Sequence, residues 1–265
     1  MKDTLLKIEN LSISFEQYGR GLKKFTTTPI ENLNIEVKKG EILAIVGASG
    51  SGKSLLAHTV MDILPPNAIV NGKILYKDEI LSKEKIKKYR GEKITFIPQS
   101  VNYLDPSMKV KDQIKIGLKN MKKEEKAKLQ KEIFDKFELK ENEIELYPYQ
   151  LSGGMLRKVL FATSIKMNTE LIIADEPTPG IHQSVLDKVL KQLRSFADAG
   201  ISVILITHDI FSAVKIADRI TVFKDGRTIE TVPSTFFSGN GENLKEEYSK
   251  KLWNALPQNK FLEVR

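Results

Sequence analysis

Eight consecutive residues, GASGSGKS from Gly47 to Ser54, constrain what this chain can fold into more than any other stretch. They fit the pattern G-x-x-x-x-G-K-[ST]. The apolar run Glu41 to Val46 before them reads as a buried strand, and Leu55 to Ile63 after them reads as a helix. A strand, a glycine-rich turn and a helix in that order bring inward-pointing backbone N–H groups and the positive end of a helix to one point, which is a seat for a phosphate. Gly47, Gly50 and Gly52 let the backbone curl, and Ser49, Ser51 and Leu55 complete the candidate phosphate-binding set. On this reading Lys53 reaches the outer phosphates and the Ser54 hydroxyl ligates Mg²⁺. The competing reading is a flexible glycine-serine turn before an ordinary helix.

Bulk properties narrow the rest. A chain of 265 residues can bury a sizeable core. With no cysteine, it has no disulfide, thiolate zinc site or cysteine nucleophile, and three histidines are too few for a histidine-rich metal centre. No signal-like leader is expected, and no apolar run approaches the ~20 residues that cross a bilayer. The net charge of +8 invites a nucleic-acid or anionic-lipid reading. Yet only seven of the 42 basic residues are arginine, the usual choice for bidentate phosphate or base recognition. The densest basic segment, Lys109 to Lys140, is interleaved with acids and reads as a solvated helical face.

In chain order, residues 5–15 alternate as a strand whose phase slips at Asn10, as a bulge would cause. Gln17 to Pro29 reads as a loop and Ile30 to Val37 as a second strand. Phe15, and after it Tyr18, could stack on a nucleotide base; Phe15 could equally be core. Ile69 to Tyr76 reads as a short strand with a turn at Asn71-Gly72, Lys83 to Arg90 as a helix, and Ile94 to Ile97 as a buried strand delivering Pro98 and Gln99. From Val110 to Leu139 the pattern is helical and polar. LSGGM, Leu151 to Met155, opens a helix running to about Met167, with Ser152 as N-cap and Gly153 and Gly154 leaving N–H groups uncovered, a second anion seat. Small residues suit any helix start, so this signal is weak alone.

LIIADEP, Leu171 to Pro177, is a buried strand ending in two carboxylates. Beside a phosphate loop, Asp175 is where a Mg²⁺-organising carboxylate belongs, and Glu176 where a group that orients or deprotonates water belongs. A turn at Pro179 to His182, an amphipathic helix from Gln183 to Ala199 and a strand from Ile201 to Ile206 lead to His208, a candidate γ-phosphate contact. Phe211 to Ala217 reads as a helix, Arg219 to Val232 as a hairpin turning at Asp225-Gly226, and Glu242 to Leu256 as a polar helix carrying Trp253.

Taken together, GASGSGKS, the Gln at 99, LSGGM, LIIADE and His208 resemble the ATP-binding cassette family of ATPases over nearly the whole chain. Details such as ILPPNAIVNGKILYKDEIL and YPYQLSGGM are similar to its peptide/nickel importer branch. The resemblance implies an α/β fold. A phosphate-loop core with a mostly parallel sheet would carry an N-terminal antiparallel β subdomain, a helical lobe near residues 100–165 and a helical tail at 233–265, all in one domain spanning 1–265. It implies ATP and Mg²⁺, with Lys53 and Ser54 on phosphate and metal, Asp175 supporting the metal, and Glu176 and His208 catalytic. Gln99 would sense the metal site and couple it to a permease, while Ser152, Gly153 and Gly154 close on a partner's ATP. Implied partners are a second cassette, identical or different, transmembrane permease subunits and, indirectly, an extracytoplasmic binding protein, at the cytoplasmic face of a membrane. Nucleic acid is not an expected partner.

Two departures stand out. His182 takes the place of an aspartate that faces the opposing cassette, and Leu156-Arg157-Lys158 replaces a usual Gln or Arg followed by Arg, where small effects are expected. The solute is not legible, although PQSVNYLDP leans towards nickel, cobalt or a metallophore over oligopeptides. Two other readings stay open: a soluble cassette ATPase acting on nucleic acid or ribosomes, and a weakly hydrolysing regulatory cassette.

Overall fold

The structure is a computed structural model that describes residues 3–19, 21, 23–116, 122–165, 168–177 and 183–256, without the side chains of residues 123, 183 and 184. The expected helix end at Met167 and the turn at Pro179 to His182, with the His182 departure, lie outside the described residues.

Two sheets organise the fold. The first is antiparallel, in the order β2 (Lys24–Lys38), β1 (Thr4–Tyr18), β4 (Ala68–Tyr76), β5 (Glu79–Ile80). The second runs β10 (Arg227–Pro233), β9 (Arg219–Lys224), β3 (Ile42–Val46), β8 (Ser202–Thr207), β7 (Leu171–Asp175), β6 (Ile94–Ile97). All its pairs are parallel except the β9–β10 hairpin at the edge. The central strands β3, β7 and β8 are buried on both faces, as their unbroken Ile, Leu, Val and Ala content requires.

Alternate residues of these strands divide between two cores. Leu43, Ile45, Ile173, Ile204 and Ile206 face the antiparallel sheet and α1 (Lys53–Val60), where Leu56, Ala57 and Val60 complete the packing. Ala44, Val46, Ile172, Ala174, Val203 and Leu205 face the larger core. That core is closed by α6 (Gly153–Ser164), α7 (Gln183–Asp198) and α8 (Ile210–Ile216). Between β6 and β7 the chain also forms α3 (Val110–Ile116), α4 (Lys123–Lys136) and α5 (Glu141–Ile144), and α2 (Lys83–Tyr89) precedes β6. At the C-terminal end α9 (Glu247–Asn254) buries Trp253, whose indole N–H donates to Gly239 O at 2.9 Å.

Several local readings need correction. Gln17 to Pro29 is no loop: β1 and β2 stay paired out to Tyr18 opposite Lys24. Residues 24–28 are exposed on both faces, so this ribbon carries no apolar alternation that would betray a strand. The tail helix starts at Glu247 rather than Glu242, and the helical stretch from Val110 is broken into separate helices. Asn71-Gly72 is no turn either, since β4 passes straight through it. Gly72 has φ of +105° and lies over the expected bulge, where Asn10 has φ of +51° and the β1–β4 register shifts. A Cβ at Gly72 would sit 2.6 Å from Asn10 O and 2.8 Å from Glu9 O.

Gly72→Ala therefore adds a backbone clash to a left-handed φ, and should lower unfolding free energy in urea by about 2–4 kcal/mol. Gly91, with φ of +77° and open space around its Cβ direction, isolates the dihedral cost. Gly91→Ala should cost only about 1 kcal/mol, and equal losses for the two variants would contradict the bulge packing.

Candidate functional site

Parallel register assembles the site. Val46 pairs with Thr207, Asp175 with Ile206 and Ala174 with Ile97, so β3, β6, β7 and β8 release the chain along one sheet edge. Gly47, Glu176, His208 and, two residues beyond β6, Gln99 all follow these exits. In open α/β sheets this carboxyl edge is where ligands bind.

The glycine-rich loop is held tightly at its ends and open in the middle. A Cβ on Gly47 would lie 2.1 Å from Phe223 O, so only glycine allows the loop to pass β9. Gly52, at φ of +102°, caps α1 without a side-chain bond. Gly50, at φ of +78°, has nothing within 4 Å of its Cβ direction. At the start of α1, the N–H groups of Lys53 and Ser54 meet no backbone carbonyl among the described residues, leaving the orphan donors of a helix N-terminus turned towards the loop. Gly226, in the β9–β10 turn, ties this loop to the antiparallel sheet. Its N–H donates to Ser51 O at 3.2 Å, and its carbonyl accepts from Glu31 N at 3.1 Å.

Charged groups converge on the same edge. Lys53 is buried, and its ammonium donates to Gly47 O at 2.9 Å, Ala48 O at 2.7 Å and the Ser51 hydroxyl at 3.4 Å. Burial lowers its pKa, while Glu176 and Asp175 act in the opposite sense. The Ser54 hydroxyl donates to Asp175 Oδ1 at 3.1 Å. Asp175 is 4% exposed, and burial raises its pKa against the Ser54 hydrogen bond. Glu176 adopts a left-handed φ of +43°, its N–H donates to Ile206 O at 2.8 Å, and its Oε2 lies 2.8 Å from His208 Nδ1. An ionised carboxylate can only accept, so His208 carries its proton on Nδ1 in this pair. A non-glycine residue in this conformation is strained by about 1–2 kcal/mol, a cost that concentrates at functional positions.

The residues present suit Mg²⁺ with a triphosphate. Hydroxyl and carboxylate oxygens are hard donors, and a glycine cradle leaves room that a Cβ would fill. No cluster of three or more His, Cys, Asp or Glu forms a metal cage among the described residues. Phosphate oxygens would then complete the shell, the usual arrangement for Mg²⁺.

Other sequence candidates lie apart from this cluster. Ser152 caps α6, its hydroxyl accepting from Met155 N at 3.4 Å, with Ser152 and Gly153 exposed. No hydrogen bond or ion pair among the described residues joins Ser152 to Gly154 with the glycine-rich loop. Phe15 is partly buried against the smaller core, opposite Thr27 and Ala68, whereas Tyr18 is 64% exposed. Gln99 is exposed, and its carbonyl accepts from Arg157 Nη1 at 3.0 Å. Arg157 is the residue that sequence reading undervalued. Far from a tolerant surface position, it is 4% exposed and pins the backbone after β6 to α6, one turn beyond Gly154. A contact between residues 58 apart leaves no local pattern to read.

Residues 30–179 match the ABC transporter family. The chain is 30% identical over 270 residues to the dipeptide transport ATP-binding protein DppD of Bacillus subtilis, covering 97% of this chain and 78% of that protein. It is 35% identical over 241 residues to the oligopeptide transport ATP-binding protein OppD of the same organism, covering 86% and 65%. With OppD of Escherichia coli the figures are 31% over 270 residues, 97% and 77%. Among solved structures, a dimeric ATP-binding cassette in a post-hydrolysis state, bound to ADP and Pi, superposes with a TM-score of 0.75 at 27% identity, covering 87% of this chain and 99% of that one. CbiO1 from Clostridium perfringens, part of the transporter complex CbiONQ, gives 0.76 at 27% identity, covering 99% and 100%.

The buried Asp175 sets a pH-dependent cost. Its native pKa lies above that of the unfolded chain, so stability falls as pH rises from the unfolded carboxyl's range through the native one, and the cost is complete above the native pKa. Asp175→Asn keeps an acceptor for Ser54 and removes the charge. In nucleotide-free melts it should raise Tm by about 2–5 °C at pH 7.5, with the gain shrinking as pH is lowered; an unchanged or lower Tm would remove the desolvation account.

Proposed function

The chain belongs to the ABC transporter family, and on that footing we propose that it is the subunit that binds and hydrolyses ATP to power an importer. The observation that carries this reading is the Glu176–His208 pair at 2.8 Å on the same sheet edge as the Ser54–Asp175 bond at 3.1 Å. A phosphate seat, a metal-supporting carboxylate and a base that can orient water thus follow neighbouring strand exits.

On this reading the β- and γ-phosphates lie along the glycine-rich loop. Lys53 exchanges the loop carbonyls for phosphate oxygens, and the free N–H groups at the start of α1 donate to them. Ser54 would hold Mg²⁺, with Asp175 behind it. When bound, the ion supplies charge neutralisation of the phosphate oxygens. Glu176 orients the attacking water and draws on its proton, its pinned backbone fixing the direction of attack. With Nδ1 donating to Glu176, His208 can also donate from Nε2 to a γ-phosphate oxygen as the imidazolium, and Gln99 senses the metal site and couples it to the permease. Phe15 or Tyr18 stacks on the base. The chemistry is mostly positioning and electrostatic stabilisation.

Ser152, Gly153 and Gly154 present a helix N-terminus unconnected to the loop, which supports a reading in which they close on the ATP of a second cassette. The dimeric, ADP- and Pi-bound relative supports the same arrangement. Because no helix of the described residues is long and apolar enough to cross a membrane, permease subunits would hold the assembly at the cytoplasmic face, with a binding protein delivering solute on the far side. Relatives named for dipeptides and oligopeptides favour a peptide cargo over the metal or metallophore suggested by PQSVNYLDP.

In the purified complex, Glu176→Gln should slow ATP turnover by ~10²-fold or more while nucleotide affinity measured by calorimetry persists. Full turnover in that variant would refute the assignment of Glu176.

A further inference from the structure

Behind the N-terminus of α6, between α6, the end of α4 and α7, lies a cavity of about 560 Å³. Phe137, Phe161, Val185 and Val189 give it apolar walls. Among the described residues its charges are one-sided: Lys136, Arg157, Lys158, Lys188 and Lys191 line it, against the single carboxylate of Glu138. That carboxylate is already shared by Lys158 at 3.4 Å and Lys188 at 3.9 Å.

Among the described residues the remaining cations pair with no carboxylate. Lys136 lies over the Phe196 ring at 4.6 Å, and Lys191 has no ion pair among the described residues. Arg157 is buried; Nη1 is held by a carbonyl and Nε has no hydrogen-bond partner among the described residues. Burial lowers the pKa of both Arg157 and Lys136, with no carboxylate offsetting it. A buried donor without a partner is costly, and the exposed lysines around it place the apolar volume in a positive field that favours an anion.

We propose that this cleft is a binding site for a small amphipathic carboxylate, its apolar body between Phe137, Phe161 and Val189 and its head on the lysine rim beside Arg157. The volume suits one such molecule. Both halves of the ligand are needed: the walls would take any apolar compound, whereas the five-to-one charge excess selects an anion. Ser152 and Gly154 belong to the same wall. Occupancy therefore reaches the helix N-terminus that meets the partner's phosphate, making the ligand a regulator of cassette closure. That regulatory consequence rests on the function proposed above; binding itself does not.

The test is calorimetric titration of the full chain, without nucleotide, with laurate below its micellar concentration, alongside decanol and dodecyltrimethylammonium. Laurate should bind in one-to-one ratio and weaken with salt, and the other two should bind at least tenfold more weakly. Lys191→Glu should reduce laurate affinity about five- to tenfold, and Val189→Trp, which fills the cavity, should abolish it. If Val189→Trp does not fold, Lys136→Glu provides the second reading, with the same loss expected. Equal binding of decanol would reduce the cleft to an apolar hole. Unchanged affinity in the charge variants, or a dimer in size-exclusion chromatography that Val189→Trp disrupts, would assign it to another occupant; each overturns the proposal. Unaltered ATP turnover in the complex while laurate binds would reject only the regulatory consequence.

Discussion

Everything at the site depends on one run of hydrogen bonds, the parallel pairing of β3 with β8 and of β8 with β7. Because Val46 pairs with Thr207 and Asp175 with Ile206, the residues that follow these strands leave the sheet at one level. The two cores on either side of the sheet serve this register. A shift of one residue would turn Ile173 and Ile204 away from the antiparallel sheet and exchange the faces of every neighbour. Burial on both faces thus fixes where Glu176 and His208 emerge, and the 2.8 Å contact between them follows from that register.

The start of α6 is built differently. It is exposed and glycine-rich and shares no hydrogen bond or ion pair with the glycine-rich loop among the described residues, so on the proposed function a single protomer carries two half-sites. One long-range contact ties α6 to the site edge of the sheet. Arg157 hangs from α6 one turn past Gly154 and grips the backbone carbonyl of Gln99. That guanidinium holds α6 and the segment after β6 at a fixed spacing.

How much of this was legible in the sequence depends on the range of the interaction. The loop, the buried strands and the helix caps announce themselves because glycine, branched aliphatics and Ser152 act within a few residues. The bulge at Asn10 showed as a slip in alternation for the same reason. Gly72 misled because an Asn-Gly pair signals a hairpin when the chain is free to turn, whereas here it is the relief that β4 needs to pass over β1. The outer part of the β1–β2 ribbon was hidden because a strand wet on both faces has no reason to alternate. Arg157 and the Glu176–His208 contact were out of reach of any local pattern, since both are products of packing between distant segments.

Gly226 carries a consequence of its own. One residue there bonds the antiparallel sheet through Glu31 and the glycine-rich loop through Ser51, and a Cβ would strike Pro29 O at 2.3 Å. In a saturation mutagenesis screen scored by growth, this hairpin glycine should therefore share the intolerance profile of Gly47, although no charge or nucleophile lies on it. Thermal adaptation of the protein has little freedom to redesign that corner, and insertions that lengthen the β9–β10 turn would loosen two layers at once.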